Sequence, residues 1–313
     1  MSRAFVFPGQ GSQEVGMGRE LADAFAAARL VFEEVDDALE QKLSKIMFDG
    51  PGEELTLTEN AQPALMAVST AVVRVLEAEG NVTVSDAAAF VAGHSLGEYS
   101  ALAAAGALAL ADTARLLKTR GQAMQAAVPV GQGAMAAILG LELAAVEEVA
   151  VAAAEDQVCD VANDNSEGQI VVSGDTTAVE RAVEIAKDKG AKRGILLPVS
   201  APFHCQLMDP AADIMTHALA SAEIVPPKPP VVTNVTAQPV SDPDDIRSML
   251  IEQITQTVRW RESVLTMRDL GVEEICEIGA GKVLGGLARR IDRDLGAQSV
   301  ATPADVETFL ASL

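Results

Sequence analysis

Short continuous apolar runs and longer amphipathic stretches alternate along this chain. Ala4–Phe7 reads as a buried strand closed by Pro8-Gly9. A helix is expected over Gly18–Leu39, a loop at Asp49-Gly50-Pro51-Gly52, and a long helix over Asn60–Glu79 that Gly80 ends. Ala87–Ala92 reads as a second buried strand. One helix follows Ser95, and Asp112 opens another that runs past Arg120. Further on, helices are expected over Gln206–Ala222, Asp244–Thr255, Arg261–Leu270 and Lys282–Arg290. Strands are expected at Val231–Val235 and Glu274–Ile278. Strands alternating with helices make a parallel sheet covered on both faces, an α/β fold.

The middle of the chain has a different pattern. Strand Ala134–Leu139, helix Leu141–Glu155, strands Val158–Asn163 and Gln169–Ser173, helix Thr176–Lys187 and strand Arg193–Val199 follow in turn. The two middle strands are joined by the polar turn Asp164–Gly168. The order βαββαβ is that of a ferredoxin-like split motif. The expected organisation is a large α/β domain from residues 1–128 and 200–313, with a small domain inserted at 129–199.

Composition narrows the function classes. Hydrophobic residues make up 49% and aromatics only 3%, so Ala, Val, Leu, Ile and Met must fill the core. The net charge of −22, from 45 acidic and 23 basic residues, repels nucleic acid and anionic lipid. The three cysteines, Cys159, Cys205 and Cys276, are too far apart for a CxxC metal pair or a disulfide framework. That suits a reducing, cytoplasmic setting. The amino terminus lacks the apolar stretch of a signal peptide, and no apolar run reaches the roughly 20 residues of a membrane helix. No nucleic acid and no membrane are expected as partners.

Gly93-His94-Ser95-Leu96-Gly97 stands between a predicted strand and a predicted helix. A GxSxG in that setting is a nucleophile elbow, in which small residues let the chain turn sharply and expose the serine hydroxyl. The amide of Leu96 would point at a developing oxyanion. A serine needs a base. The chain has three histidines. His94, next to Ser95, should point away from it, and His217 falls on an amphipathic helix. His204 lies in a loop after a strand, where α/β sheets place their chemistry. Elimination selects His204. No acid between Ser95 and His204 stands at a strand end of the main sheet, which leaves a dyad open beside a triad. Pro8-Gly9-Gln10-Gly11-Ser12-Gln13 lets backbone amides approach a ligand. It is no dinucleotide fingerprint, because Glu14 takes the third glycine position. Gly279-Ala280-Gly281-Lys282 fails likewise as a phosphate loop.

Phe7-Pro8-Gly9-Gln10-Gly11-Ser12-Gln13, Gly93-His94-Ser95-Leu96-Gly97-Glu98-Tyr99, Arg120-Gly121, Phe203-His204, Val258-Arg259-Trp260 and Glu277-Ile278-Gly279-Ala280-Gly281-Lys282 follow in that order. Together they resemble the malonyl-CoA:acyl carrier protein transacylase family, and more broadly the acyltransferase domains of fatty-acid and polyketide synthases. The resemblance implies an α/β-hydrolase-like large domain with a ferredoxin-like insert. It implies Ser95 as the acylated nucleophile and His204 as its base, with the amides of Gln10 and Leu96 as the oxyanion hole. Arg120 would hold the malonyl carboxylate, Gln253 would orient His204, and Phe203 resembles the residue of malonyl-selective members. Malonyl-CoA and acyl carrier protein would be the partners of a monomer that needs no cofactor. Both partners are anionic, so local basic clusters must steer them: Lys187, Lys189, Lys192 and Arg193, or Arg289, Arg290 and Arg293. A serine esterase or thioesterase, a free-standing polyketide acyltransferase and a non-catalytic carrier-binding module are the competing readings.

Overall fold

The computed structural model describes residues 2–313 and is a mixed α/β structure with two sheets. The strands, in chain order, are β1 (Arg3–Phe7), β2 (Phe90–Gly93), β3 (Gly133–Leu139), β4 (Cys159–Ser166), β5 (Gln169–Asp175), β6 (Arg193–Leu196), β7 (Val231–Val232), β8 (Pro239–Val240), β9 (Glu274–Ile278) and β10 (Gly296–Val300). Six of them form the main sheet in the order β10-β9-β1-β2-β7-β8, parallel throughout except for the two-residue edge strand β8. Its central strands are apolar on both faces: Ala4, Phe5, Val6 and Phe7 are all buried, as are Val91 and Ala92. Such runs are what helices on both faces of a parallel sheet require. Helix Thr58–Gly80 packs on one face, and Trp260, Val264 and Met267 of helix Trp260–Asp269 cover the other.

The second sheet is antiparallel, ordered β4-β5-β3-β6. Helices Leu143–Ala154 and Thr176–Asp188 cover one face through Val146, Val149, Val179 and Ala182. The small sheet is tied to the segment that leads into helix Trp260–Asp269. Ala162 accepts from the amide of Val258 at 2.9 Å, and Asp164 donates its amide to Val258 at 3.0 Å. The buried Asp164 carboxylate takes both Oδ1 and Oδ2 contacts from Arg261 Nε, at 3.2 and 2.9 Å.

Several expected elements are altered. The Gly18–Leu39 helix is two helices, Arg19–Ala24 and Ala26–Leu39, because Phe25 takes extended dihedrals (φ −125°, ψ 127°). Its ring packs against the core. The Asp49–Gly52 loop is a tight link between helices Leu43–Asp49 and Gly52–Thr56. Residues 84–87 are helical, so the strand expected from Ala87 begins at Phe90. β4 runs on through Asp164 to Ser166 and leaves only Glu167-Gly168 as the turn. β10 and helix Pro303–Ala311 close the carboxyl end and were not expected.

Candidate active site

The loops after β1, β2 and β7 leave neighbouring strands of the main sheet at the same end. The carboxyl end of a parallel sheet is where such folds gather ligand-binding groups. Gln10, Ser95 and Asn234 therefore meet there. Ser95 sits in the left-handed region at φ 53°, a conformation that costs a non-glycine residue on the order of 1–3 kcal/mol. The flanking glycines make it possible. A Cβ on Gly93 would lie 1.9 Å from the carbonyl carbon of Gly97, and one on Gly97 would lie 2.2 Å from the carbonyl oxygen of Phe7.

Ser95 Oγ lies 2.7 Å from His204 Nε2. His204 Nδ1 lies 2.8 Å from the carbonyl oxygen of Gln253, which can only accept. The proton is therefore on Nδ1, and Nε2 accepts from the serine hydroxyl. A main-chain carbonyl thus stands where a triad would have a carboxylate. His204 is itself in the left-handed region, at φ 57°. Burial, reinforced by the charge of Arg120, pushes its pKa down to about 3. The imidazole is neutral at physiological pH, the state a general base needs.

Arg120 lies inside helix Leu110–Ala127 and is 1% exposed. Its guanidinium donates to Gln62 Oε1 at 2.8 Å through Nη1, and to Gln253 Oε1 at 2.9 Å and Ser95 Oγ at 3.1 Å through Nη2. Gly121 allows this depth, since a Cβ there would meet the backbone of Glu59 at 2.6 Å. Arg120 Nε has no acceptor among the described residues. These groups open on a cavity of about 410 Å³. Gln10, Leu96 and Phe203 line it beside Ser95, Arg120 and His204, and Met124, Met135 and Leu197 give it an apolar wall. Among the described residues, the amides of Gln10 and Leu96 donate to no protein acceptor. The constellation can deprotonate a serine hydroxyl, receive an oxyanion and hold an anion, all within one cavity.

The acyl transferase domain family matches residues 4–290. The malonyl CoA-acyl carrier protein transacylase of Bacillus subtilis is 46% identical over 311 residues, covering 99% of this chain and 96% of its own. The Escherichia coli (strain K12) enzyme of the same name is 46% identical over 307 residues, 98% of each chain. This chain belongs to the malonyl-CoA:acyl carrier protein transacylase family. The solved acyl-carrier-protein-S-malonyltransferase of Bartonella henselae superposes with a TM-score of 0.97 at 57% identity, over 100% of this chain and 99% of that one. A malonyl-transacylase in complex with its type II PKS acyl-carrier protein superposes with a TM-score of 0.96 at 42% identity, over all of both chains.

Gln253 is fully buried. Its backbone meets His204, while its side chain holds Arg120 and donates to the Ser95 carbonyl at 3.1 Å. His94 turns to Asn165, 2.8 Å away, and His217 lies on the surface. Gln62 and Asn234 are site residues that sequence reasoning missed. Asn234 Oδ1 accepts from the Ser95 amide at 2.8 Å, and its Nδ2 donates to the Gly93 carbonyl at 2.6 Å. No motif marks either one, and the strand expected at Val231–Val235 placed Asn234 inside it, whereas β7 stops at Val232 and Asn234 falls in the loop that reaches the site. Of the basic candidates, Lys187 and Lys189 pair with Glu184 and Glu148. Lys192 and Arg193 form no ion pair among the described residues. Arg193 pairs with Leu139, Leu139 with Gln169, and Gln169 accepts from Arg290 at 2.6 Å. The fold thus places Arg193 and Arg290, one from each basic cluster, at one end of the small sheet.

Proposed function

We propose that this chain moves a malonyl group from malonyl-CoA to the phosphopantetheine thiol of acyl carrier protein through an ester on Ser95, supplying fatty-acid elongation. One observation carries the reading: a neutral imidazole and a buried guanidinium converge on a single serine hydroxyl, at 2.7 and 3.1 Å. An esterase needs the first; a donor with a free carboxylate makes use of both.

His204 Nε2 takes the Ser95 proton as Oγ attacks the thioester carbonyl. The tetrahedral oxyanion rests on the amides of Gln10 and Leu96. Collapse breaks the C–S bond, and the departing sulfur takes the proton from His204. The carrier thiol then gives its proton to His204 and attacks the ester, and Ser95 Oγ leaves with that proton. Arg120 holds the malonyl carboxylate throughout, and Phe203 packs the wall beside it. No step calls for a cofactor. Among the described residues no cluster of His, Cys, Asp and Glu is arranged to hold a metal ion.

The strand order β4-β5-β3-β6 with two helices on one face supports a ferredoxin-like insert at 129–199. The parallel sheet with its elbow supports an α/β-hydrolase-like domain from 1–128 and 200–313. No helix among the described residues is long and apolar enough to cross a membrane; we take the enzyme to act as a cytoplasmic monomer. The relative solved with a type II PKS carrier favours one second reading, delivery to a polyketide carrier. Initial rates with both substrates varied test the mechanism. A substituted enzyme gives parallel double-reciprocal lines, and intersecting lines would exclude release of CoA before the carrier binds, and with it the ping-pong order.

A further inference from the structure

Glu98 lies on helix Gly97–Ala104, three residues past the nucleophile, and is 1% exposed. It has no place in the steps above, yet it is a buried acid within the site. Its Oε2 accepts from the Asn234 amide at 2.8 Å and from Gln253 Nε2 at 3.0 Å. Those two residues hold both sides of the strained Ser95. Asn234 Oδ1 takes the Ser95 amide, and Gln253 Nε2 donates to the Ser95 carbonyl. Gln253 also supports His204 through its carbonyl and Arg120 through Oε1.

The structure assigns to Glu98 the role of a positioning residue, in which one carboxylate oxygen joins the Asn234 clamp to the Gln253 bridge and so fixes nucleophile, base and guanidinium relative to one another. The role rests on the Ser95 ester reading and deepens it.

The physical case is the position of the carboxylate. Burial opposes its ionisation and pushes it up to about 7, while the Asn234 amide, the Gln253 carboxamide and the charge of Arg120 favour the ionised form. Oε1 has no donor among the described residues. A buried acid with one idle oxygen is costly if it serves packing alone. Two donors on the other oxygen resist displacement more than neutral hydrogen bonds would. Two left-handed residues, Ser95 and His204, need such over-determination to persist. Without Glu98, Asn234 N and Gln253 Nε2 each lose an acceptor, and small displacements of reacting groups are expensive in rate.

The test compares Glu98→Ala with Glu98→Gln, which keeps one oxygen for the two donors. Each is scored by its thermal midpoint and by kcat and KM for malonyl-CoA. The role predicts that Glu98→Ala loses about tenfold or more in kcat with KM within about threefold, and that Glu98→Gln returns to within about threefold of wild type. A folded Glu98→Ala with kcat near wild type overturns it, as does a Glu98→Gln no better than Glu98→Ala. If Glu98→Ala does not fold, Glu98→Asp, which draws the carboxylate back by one methylene from both donors, decides: a kcat loss of about tenfold at an unchanged midpoint supports the role, and no loss overturns it. Wild type failing to form a malonyl ester would defeat the Ser95 reading itself, an outcome distinct from any of these.

Discussion

Arg120 carries a full charge where only 1% of its surface meets solvent. Burial lowers its pKa, and the nearby Tyr99 and Glu98 act in the opposite direction. Two carboxamides, Gln62 and Gln253, set the plane of its guanidinium. A planar fork held in this way suits a carboxylate better than a point charge does. Charged hydrogen bonds of about 1.5–3 kcal/mol each translate to roughly ten- to hundredfold in selectivity. Arg120→Ala is therefore expected to lose at least about tenfold of the malonyl-over-acetyl preference in kcat/KM. Arg120→Lys is expected to recover little of it, lacking the fork. Competition between the two CoA esters checks this, and an unchanged ratio would remove Arg120 from recognition.

At the scale of elements, the site depends on how closely β1, β2 and the helix after Ser95 approach one another. Gly97→Ala would force a Cβ to 2.2 Å from the Phe7 carbonyl oxygen, which is backbone and cannot swing away. We expect a cost of about 1–3 kcal/mol or more together with loss of Ser95 acylation; a variant with an unchanged melting temperature would contradict that packing. Elements of this kind were legible in the sequence. Gly93 to Gly97 announced a strand-turn-helix because only small residues can make that turn, and His204 followed from there being few histidines. Gln62 and Asn234 were not legible as site residues, and Glu98 stood in the elbow motif without a role: a single polar side chain acquires its partner only when distant segments meet. The carboxyl-terminal helix was missed for another reason. Thr302 and Asp305 form a capping box, a readable signal, but the partly polar β10 before it hid the last strand.

Over the whole molecule, a charge of −22 must admit two anionic partners. Lys192, Arg193 and Arg290 gather at one end of the small sheet, and β4 of that sheet is bridged to Val258, just before helix Trp260–Asp269. Basic residues held there would steer a carrier toward the cavity. Replacing Lys192 and Arg193 together by Glu is predicted to raise KM for the carrier protein by about threefold or more at low salt, and less so at high salt, where screening shortens the reach of charge. The KM for malonyl-CoA as acyl donor serves as the internal comparison. A carrier KM that does not move discards this docking end.

The most direct measurement is the intact mass of the protein after brief mixing with malonyl-CoA, with acetyl-CoA and Ser95→Ala run in parallel. The account predicts a malonyl adduct on Ser95, favoured over acetyl, absent from the variant and discharged by holo carrier protein. No adduct alongside accumulating free malonate would contradict it and indicate a hydrolase.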